Sequence, residues 1–197
     1  MSEKRPQILR AAEKLFASGR FHEITLDDIC REAGVGKGTI YRYFEDKKDL
    51  YHQVILAGVD DLVESVRAIA EQEPEPPDGL REVARSMAEF FRRRRPLFGL
   101  MHGEQIRGSM RKGKLRKHWH AKNEKIVDVV AGFIKQGMHR GVYRTALGAK
   151  TAAWMLMGMI RTGLRHGREM PAGKDWPEAV VELFENGLLV RDEEGTA

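Results

Sequence analysis

The segment "LDDICREAGVGKGTIYRYF", Leu26 to Phe44, constrains the fold of this chain more than any other. Two short runs with apolar residues at helical spacing flank Ala33-Gly34-Val35, and a glycine there ends the first run sharply in the left-handed conformation. Val35 and Ile40 are placed to fill the angle between two helices, while Cys30 and Ala33 are small enough for close approach. Thr25 stands before the first run with Asp28 three residues on, a capping-box-like start. A nucleotide-cradling loop is the competing reading of "GVGKG", and it fails. Gly36-Lys37 is followed by Gly38 rather than Ser or Thr, Arg31 occupies the place of the first required glycine, and the preceding element is a helix. The spacing therefore predicts a helix-turn-helix, the arrangement that lays a recognition helix in a DNA major groove.

The remaining periodicity is also helical. Ile8, Ala12, Leu15 and Phe16 share one face of a first helix that Gly19 ends. Asp46 caps a long helix over 47–72, which "EPEPPDG", 73–79, must break. Further helices are predicted at 79–94, 97–107, 114–140, 146–167 and 176–190, and no strand-like alternation survives counting. The expected fold class is all-α, with about nine helices. The expected division is a three-helix DNA-binding domain over 1–46 and a larger helical domain over 47–197, joined through the 47–72 helix.

Composition removes several alternatives. The chain of 197 residues has one cysteine, Cys30, so neither an intrachain disulfide nor a multi-cysteine zinc site is available. There is no long apolar run and no leader-like start, so a cytoplasmic protein without a membrane partner is expected. His118 and His120 lie two residues apart, about 200° around a helix, and cannot chelate a metal from one face. Neither a metal nor another cofactor is expected. No nucleophile-elbow, zincin or paired-ligand motif points to an enzyme. The net charge of +5 is unevenly spread: 13 basic against 18 acidic residues over 1–91, 11 against 1 over 92–122, and 10 against 10 thereafter.

Setting Ile40 toward the core turns Gly38 and Arg42 away from it, with Thr39 beside them and Tyr41 and Tyr43 flanking the buried stripe. Arg42 can form paired hydrogen bonds to guanine, and the hydroxyls of Thr39, Tyr41 and Tyr43 can meet phosphates or bases. Gly38 costs about 1 kcal/mol of helix propensity relative to alanine, which close approach of the backbone to a groove would explain. Lys47 opposes the helix dipole at the start of the long helix, and a nearby phosphate would offset that.

From Ala11 to Ile55 the sequence resembles the DNA-binding domain of the TetR family of bacterial transcriptional regulators. Ala12-x-x-Leu15-Phe16, Thr25, Ala33-Gly34-Val35, Gly38-Thr39-Ile40-Tyr41, Phe44 and Lys47 carry the likeness. The resemblance implies that Thr39, Tyr41 and Lys47 hold operator phosphates, that Lys37, Arg42 and Tyr43 face the groove, and that Thr25 both caps its helix and approaches the DNA backbone. It also implies a homodimer on a palindromic operator, most often a repressor released by a small-molecule inducer. An activator would use the same recognition helix, and a small-molecule-binding protein without operator binding is the remote alternative.

Beyond residue 55 the resemblance rests on helix number and length. Ile160 and Leu164, with Val180, Phe184 and Leu188, form apolar stripes that the family would use as a four-helix dimer interface and that could equally be internal core. Met87, Phe91, Phe98 and Met101 belong to a Met-rich and aromatic inventory, as do Trp119, Met155 and Met159. Such side chains adapt to irregular ligands and make an apolar pocket attractive, although plain core is the ordinary use of each. The basic stretch 92–122 reads by default as solvated surface. Two sharper readings are an entry for an anionic, phosphate-bearing inducer such as an acyl thioester, and a supplementary DNA contact.

Overall fold

A computed structural model describes residues 3–102, 114–144, 146–169 and 175–187. The described residues form nine α-helices: α1 (Lys4–Ser18), α2 (Leu26–Ala33), α3 (Lys37–Tyr41), α4 (Lys47–Glu71), α5 (Pro76–Arg93), α6 (Arg95–His102), α7 (Lys114–His139), α8 (Ala149–His166) and α9 (Trp176–Asn186). A single 3₁₀ turn, Gly167–Glu169, follows α8. The all-α expectation holds, and the predicted boundaries are met within a few residues at most ends. One loop is shorter than expected. Pro76 and Pro77 open α5 instead of lying in a connection that runs to Gly79, because the first turn of a helix has no use for the N–H that proline lacks.

The chain packs as two units, one of residues 1–61 with 91–122 and one of 62–90 with 123–197. In the first unit α1 packs on both α2 and α6. Ile8 and Phe16 from α1, Ile29 from α2, Ile40 from α3, Leu50 from α4 and Leu100 from α6 are buried in one core. Full burial of each such side chain contributes about 1.5–3 kcal/mol. The Tyr51 ring stands edge-on to Phe16 and Phe21, each 5.2 Å away, and its hydroxyl donates to the Leu100 carbonyl at 3.0 Å. That burial pushes the phenol up to about 12. Gly58 admits Leu97 so closely that a Cβ would lie 2.3 Å from its Cδ2. The packing boundary thus differs from the expected break at residue 46, since the start of α4, all of α6 and the start of α7 complete the core begun by the first three helices.

In the second unit Leu80, Val83 and Ala84 of α5, Ile126, Val130 and Ile134 of α7, and Ala153, Leu156 and Ile160 of α8 are buried. Helix α9 lies on α8, where Gly163 receives the Trp176 ring. A buried carboxylate sits among these helices. Glu185, 5% exposed, accepts from the Tyr143 hydroxyl at 2.6 Å and from Arg81, and Arg81 Nε also bonds Glu178 at 2.8 Å. Burial and the neighbouring Glu185 carboxylate push the Tyr143 phenol far up, so it stays a donor.

Two glycine substitutions test this packing with opposite signs. At Gly132 in α7 an added Cβ meets nothing within 4 Å, so Gly132→Ala should gain up to about 1 kcal/mol of helix propensity. At Gly163 the Cβ would lie 2.2 Å from the Trp176 ring, and overpacking of up to about 3 kcal/mol should outweigh that gain. Denaturant midpoints of the two variants should move to opposite sides of the parent value.

Candidate nucleic-acid interface

The turn between α2 and α3 is built as its glycine requires. Gly34 has φ 58° and ψ 42°, and its N–H bonds back to the Arg31 and Cys30 carbonyls. The Val35 N–H follows to Cys30 O at 3.0 Å. At the other end of α2 the capping box is complete. The Asp28 N–H donates to Thr25 Oγ1 at 3.2 Å, while Asp28 Oδ2 accepts from the Thr25 N–H at 2.9 Å and from its hydroxyl at 2.6 Å. These bonds from Thr25, with Arg31 adding to them, hold the Asp28 carboxyl below the usual carboxylate range. The Thr25 hydroxyl proton is therefore committed within the chain.

Helix α3 has five residues, too few to persist alone, so its position is set by packing. Ile40 is fully buried and Phe44, just beyond the helix, nearly so. The opposite side carries Lys37, Gly38, Tyr41 and Arg42, all exposed, with Thr39 and Tyr43 half-buried at its edges. Tyr41 is 54% exposed, unusual for so large a ring. A Cβ on Gly38 would meet nothing within 4 Å, so the chain's own packing does not require glycine there.

The cations of this face have particular partners. Arg42 lies over the Tyr43 ring, 5.0 Å from its centroid, and donates to the Tyr43 hydroxyl at 3.3 Å. Lys37 is 2.9 Å from Asp27, whose carboxylate holds its ammonium above the ordinary lysine range. Lys47, at the start of α4, donates to the carbonyls of Phe21 at 2.9 Å and Ile24 at 2.7 Å, and stands 4.5 Å from the Phe21 ring centroid. Asp46 is the expected cap, its Oδ1 accepting from the Asp49 N–H at 2.6 Å. Lys47 at the positive end of the helix is thus accommodated by two carbonyl dipoles within the chain, a partnership the sequence did not reveal.

Residues 8–54 match the sequence model of the bacterial regulatory proteins of the tetR family, over the stretch that forms this turn and its core. This stretch is a TetR-family DNA-binding domain. The transcriptional activator FasR of Mycolicibacterium smegmatis is 40% identical over 65 residues, which is 33% of this chain and 30% of that relative. The fatty acid metabolism regulator protein of Bacillus subtilis is 24% identical over 170 residues, 81% of this chain and 82% of that one. The chain thus spans about a third of FasR and most of the Bacillus protein. Among solved structures, FadR of Bacillus subtilis in complex with stearoyl-CoA superposes with a TM-score of 0.75 at 21% identity, over 92% of this chain and 97% of that one. FadR of Bacillus halodurans gives 0.76 at 18% identity, over 95% and 97%. These likenesses show that the TetR fold extends through all nine helices.

Outside the recognition helices, the residues expected around a ligand belong to both packing units. Phe91 and Phe98 meet edge to face at 5.3 Å, and Met101 and Trp119 pack against the core of the first unit. Met87 is buried in the second unit and Met159 half-buried there. Met155 is 55% exposed, so it does not line the interior of this chain; the apolar periodicity of α8 marked a stripe wider than its core-facing side. A similar adjustment applies to the expected dimer stripe. Ile160 is fully buried and Val180 and Phe184 are 9% exposed, consumed where α8 and α9 pack within one chain. Leu164 is half-buried, and Leu188 lies outside the described residues. The large apolar side chain left out on α9 is Leu183, 67% exposed.

Among the described residues no cluster of His, Cys, Asp and Glu could hold a metal ion, and no helix is long and apolar enough to cross a membrane.

Lys47 provides a stability test separate from DNA. Replacing it with methionine leaves two loop carbonyls without their donor, and Lys47→Met should destabilise the fold by about 1–3 kcal/mol. A lowered thermal midpoint without DNA checks this; a pure phosphate contact would leave the midpoint unchanged.

Proposed function

We propose that this TetR-family chain is a transcriptional regulator that binds a palindromic operator as a homodimer and answers to a small molecule. The observation that carries the reading is the α3 face: Ile40 and Phe44 are sunk into the core while Lys37, Gly38, Tyr41 and Arg42 stand outward on a helix too short to serve any packing purpose beyond its one buried side. Gly38 leaves room for a groove wall, Arg42 presents paired donors for guanine O6 and N7, and the hydroxyls of Thr39, Tyr41 and Tyr43 suit phosphates. Lys47, already spending donors on two carbonyls, has a third N–H for a phosphate and fixes the α1–α2 loop beside it. Thr25, whose hydroxyl proton is given to Asp28, serves the DNA backbone by ordering the N-terminus of α2 beside it.

In functional terms the DNA-binding domain is residues 1–46 and the inducer and dimer functions lie in 47–197, with α4 as the connection. A second copy of the chain would cover Met155 and Leu183, the exposed apolar residues of α8 and α9, with Leu164 extending the patch and Ile160, Val180 and Phe184 backing it from within. The inducer we favour is a long-chain acyl thioester. Two relatives are named for fatty acid metabolism or degradation, and one is described with stearoyl-CoA. The Met and aromatic inventory suits an acyl chain, and Phe91, Phe98, Met101 and Trp119 share the first unit. The basic excess over 92–122 suits the phosphates. Repression relieved by the ligand is the primary reading. Activation is the second, favoured by the name of the FasR relative.

Selection of duplexes from a random pool tests the operator reading. The parent protein should enrich a palindrome whose half-sites lie about 34–36 Å apart. Arg42→Ala should relax preference at one base pair of each half-site, losing about 1–3 kcal/mol of discrimination. A folded protein that enriches no duplex, with or without stearoyl-CoA, would falsify the proposal.

A further inference from the structure

Residues 1–46 contain eight basic and eight acidic side chains and so carry no net charge. Phosphate attraction supplies essentially all of non-specific DNA binding, and acidic side chains beside the recognition helix hold that part down locally, although the same packing unit includes the basic stretch 92–122. One acidic residue lies against the recognition helix itself. Asp27, in the first turn of α2, reaches Lys37 at the start of α3, with Nζ 2.9 Å from Oδ1 and 3.2 Å from Oδ2. Of the three cations described on this face, Arg42 rests on an aromatic ring and Lys47 on two carbonyls, whereas Lys37 is neutralised by a carboxylate.

The fold makes little use of that carboxylate. The α2 cap belongs to Thr25 and Asp28, and Asp27 and Lys37 are 63% and 52% exposed, a setting in which an ion pair adds little stability. A carboxylate whose structural use is limited to a favourable charge in the first turn of α2, beside the face that meets a polyanion, weakens generic contact. We infer that Asp27 is a specificity-determining residue, which holds the Lys37 ammonium away from phosphates until a matching base edge draws it off. On random sequence Lys37 stays paired and contributes no counterion release. On the operator it exchanges Asp27 for guanine O6 or N7, acceptors that only the right base pair offers in register. The result is a lower non-specific affinity and a wider ratio between specific and non-specific binding. This inference rests on the operator-binding reading given above.

The test measures fluorescence anisotropy of the selected operator duplex and of a scrambled duplex of equal length, each over a salt series. The full-length parent, Asp27→Asn, Lys37→Ala and the double variant are compared. Asp27→Asn should bind the scrambled duplex about 3–10-fold more tightly, with the slope of log K against log salt steeper by about 0.9 per protomer, because one more lysine meets phosphate. The operator should gain less, so the ratio narrows. In the Lys37→Ala background the same change should have little effect. Unchanged scrambled-duplex affinity and slope in Asp27→Asn overturns the inference. An effect of equal size without Lys37 also overturns it, as does a parallel loss on both duplexes with a lowered thermal midpoint, the mark of a merely structural residue. A parent protein that selects no operator removes the regulator reading, and this inference with it; operator selection with a silent Asp27→Asn removes the inference alone.

Discussion

Burial of Ile40 and Phe44 is the constraint on which the rest of the recognition unit depends. A helix of five residues has almost no stability of its own, so α3 exists where and how the core holds it. Once Ile40 points inward, the 100° step between residues turns Gly38 and Arg42 away from the core and leaves Tyr41 at the edge of the buried stripe, where it stands 54% exposed. The left-handed turn at Gly34 sets the angle, and a side chain there would strain the backbone that brings Ile40 to its site.

That core is not confined to the helix-turn-helix. Leu97 of α6 sits on Gly58 of α4, and the Tyr51 hydroxyl is bonded to the last turn of α6 at Leu100. Arg94, just before α6, pairs with Asp61 of α4 and with Glu13 of α1, half-buried among them. A displacement of α6 therefore has to break the Tyr51 bond or drag α4 with it, and it pulls on α1 through Arg94. Under the proposed response to a small molecule, such shared packing would be the physical means by which α1 and α4 sense a change in α6, provided the ligand favours one arrangement over the other.

The local chemistry of this unit was legible in the sequence because it is written in near neighbours. Gly34 between two periodic runs, Thr25 three residues before Asp28, Asp46 before α4 and the inward register of Ile40 each involve residues within a turn or two. What the sequence hid lies across longer separations. The acceptors of Lys47 are carbonyls 23 and 26 residues earlier, and Asp27 lies ten residues from Lys37, at no helical spacing. The basic run read as solvated surface contains Arg94, which is instead tied to two carboxylates. In α8 and α9 periodicity identified apolar stripes correctly but could not say what covers them; Ile160 and Phe184 turned inward while Met155 and Leu183 remained outside.

The most direct test of the central claim, that the α3 face is where this chain meets DNA, is amide hydrogen exchange of the full-length protein with and without its selected duplex. Added protection should concentrate in residues 25–47, with the exposed turns around Gly34–Gly38 slowed most. Protection that instead falls on the basic stretch 92–122, leaving 25–47 unchanged in a saturated complex, would contradict it.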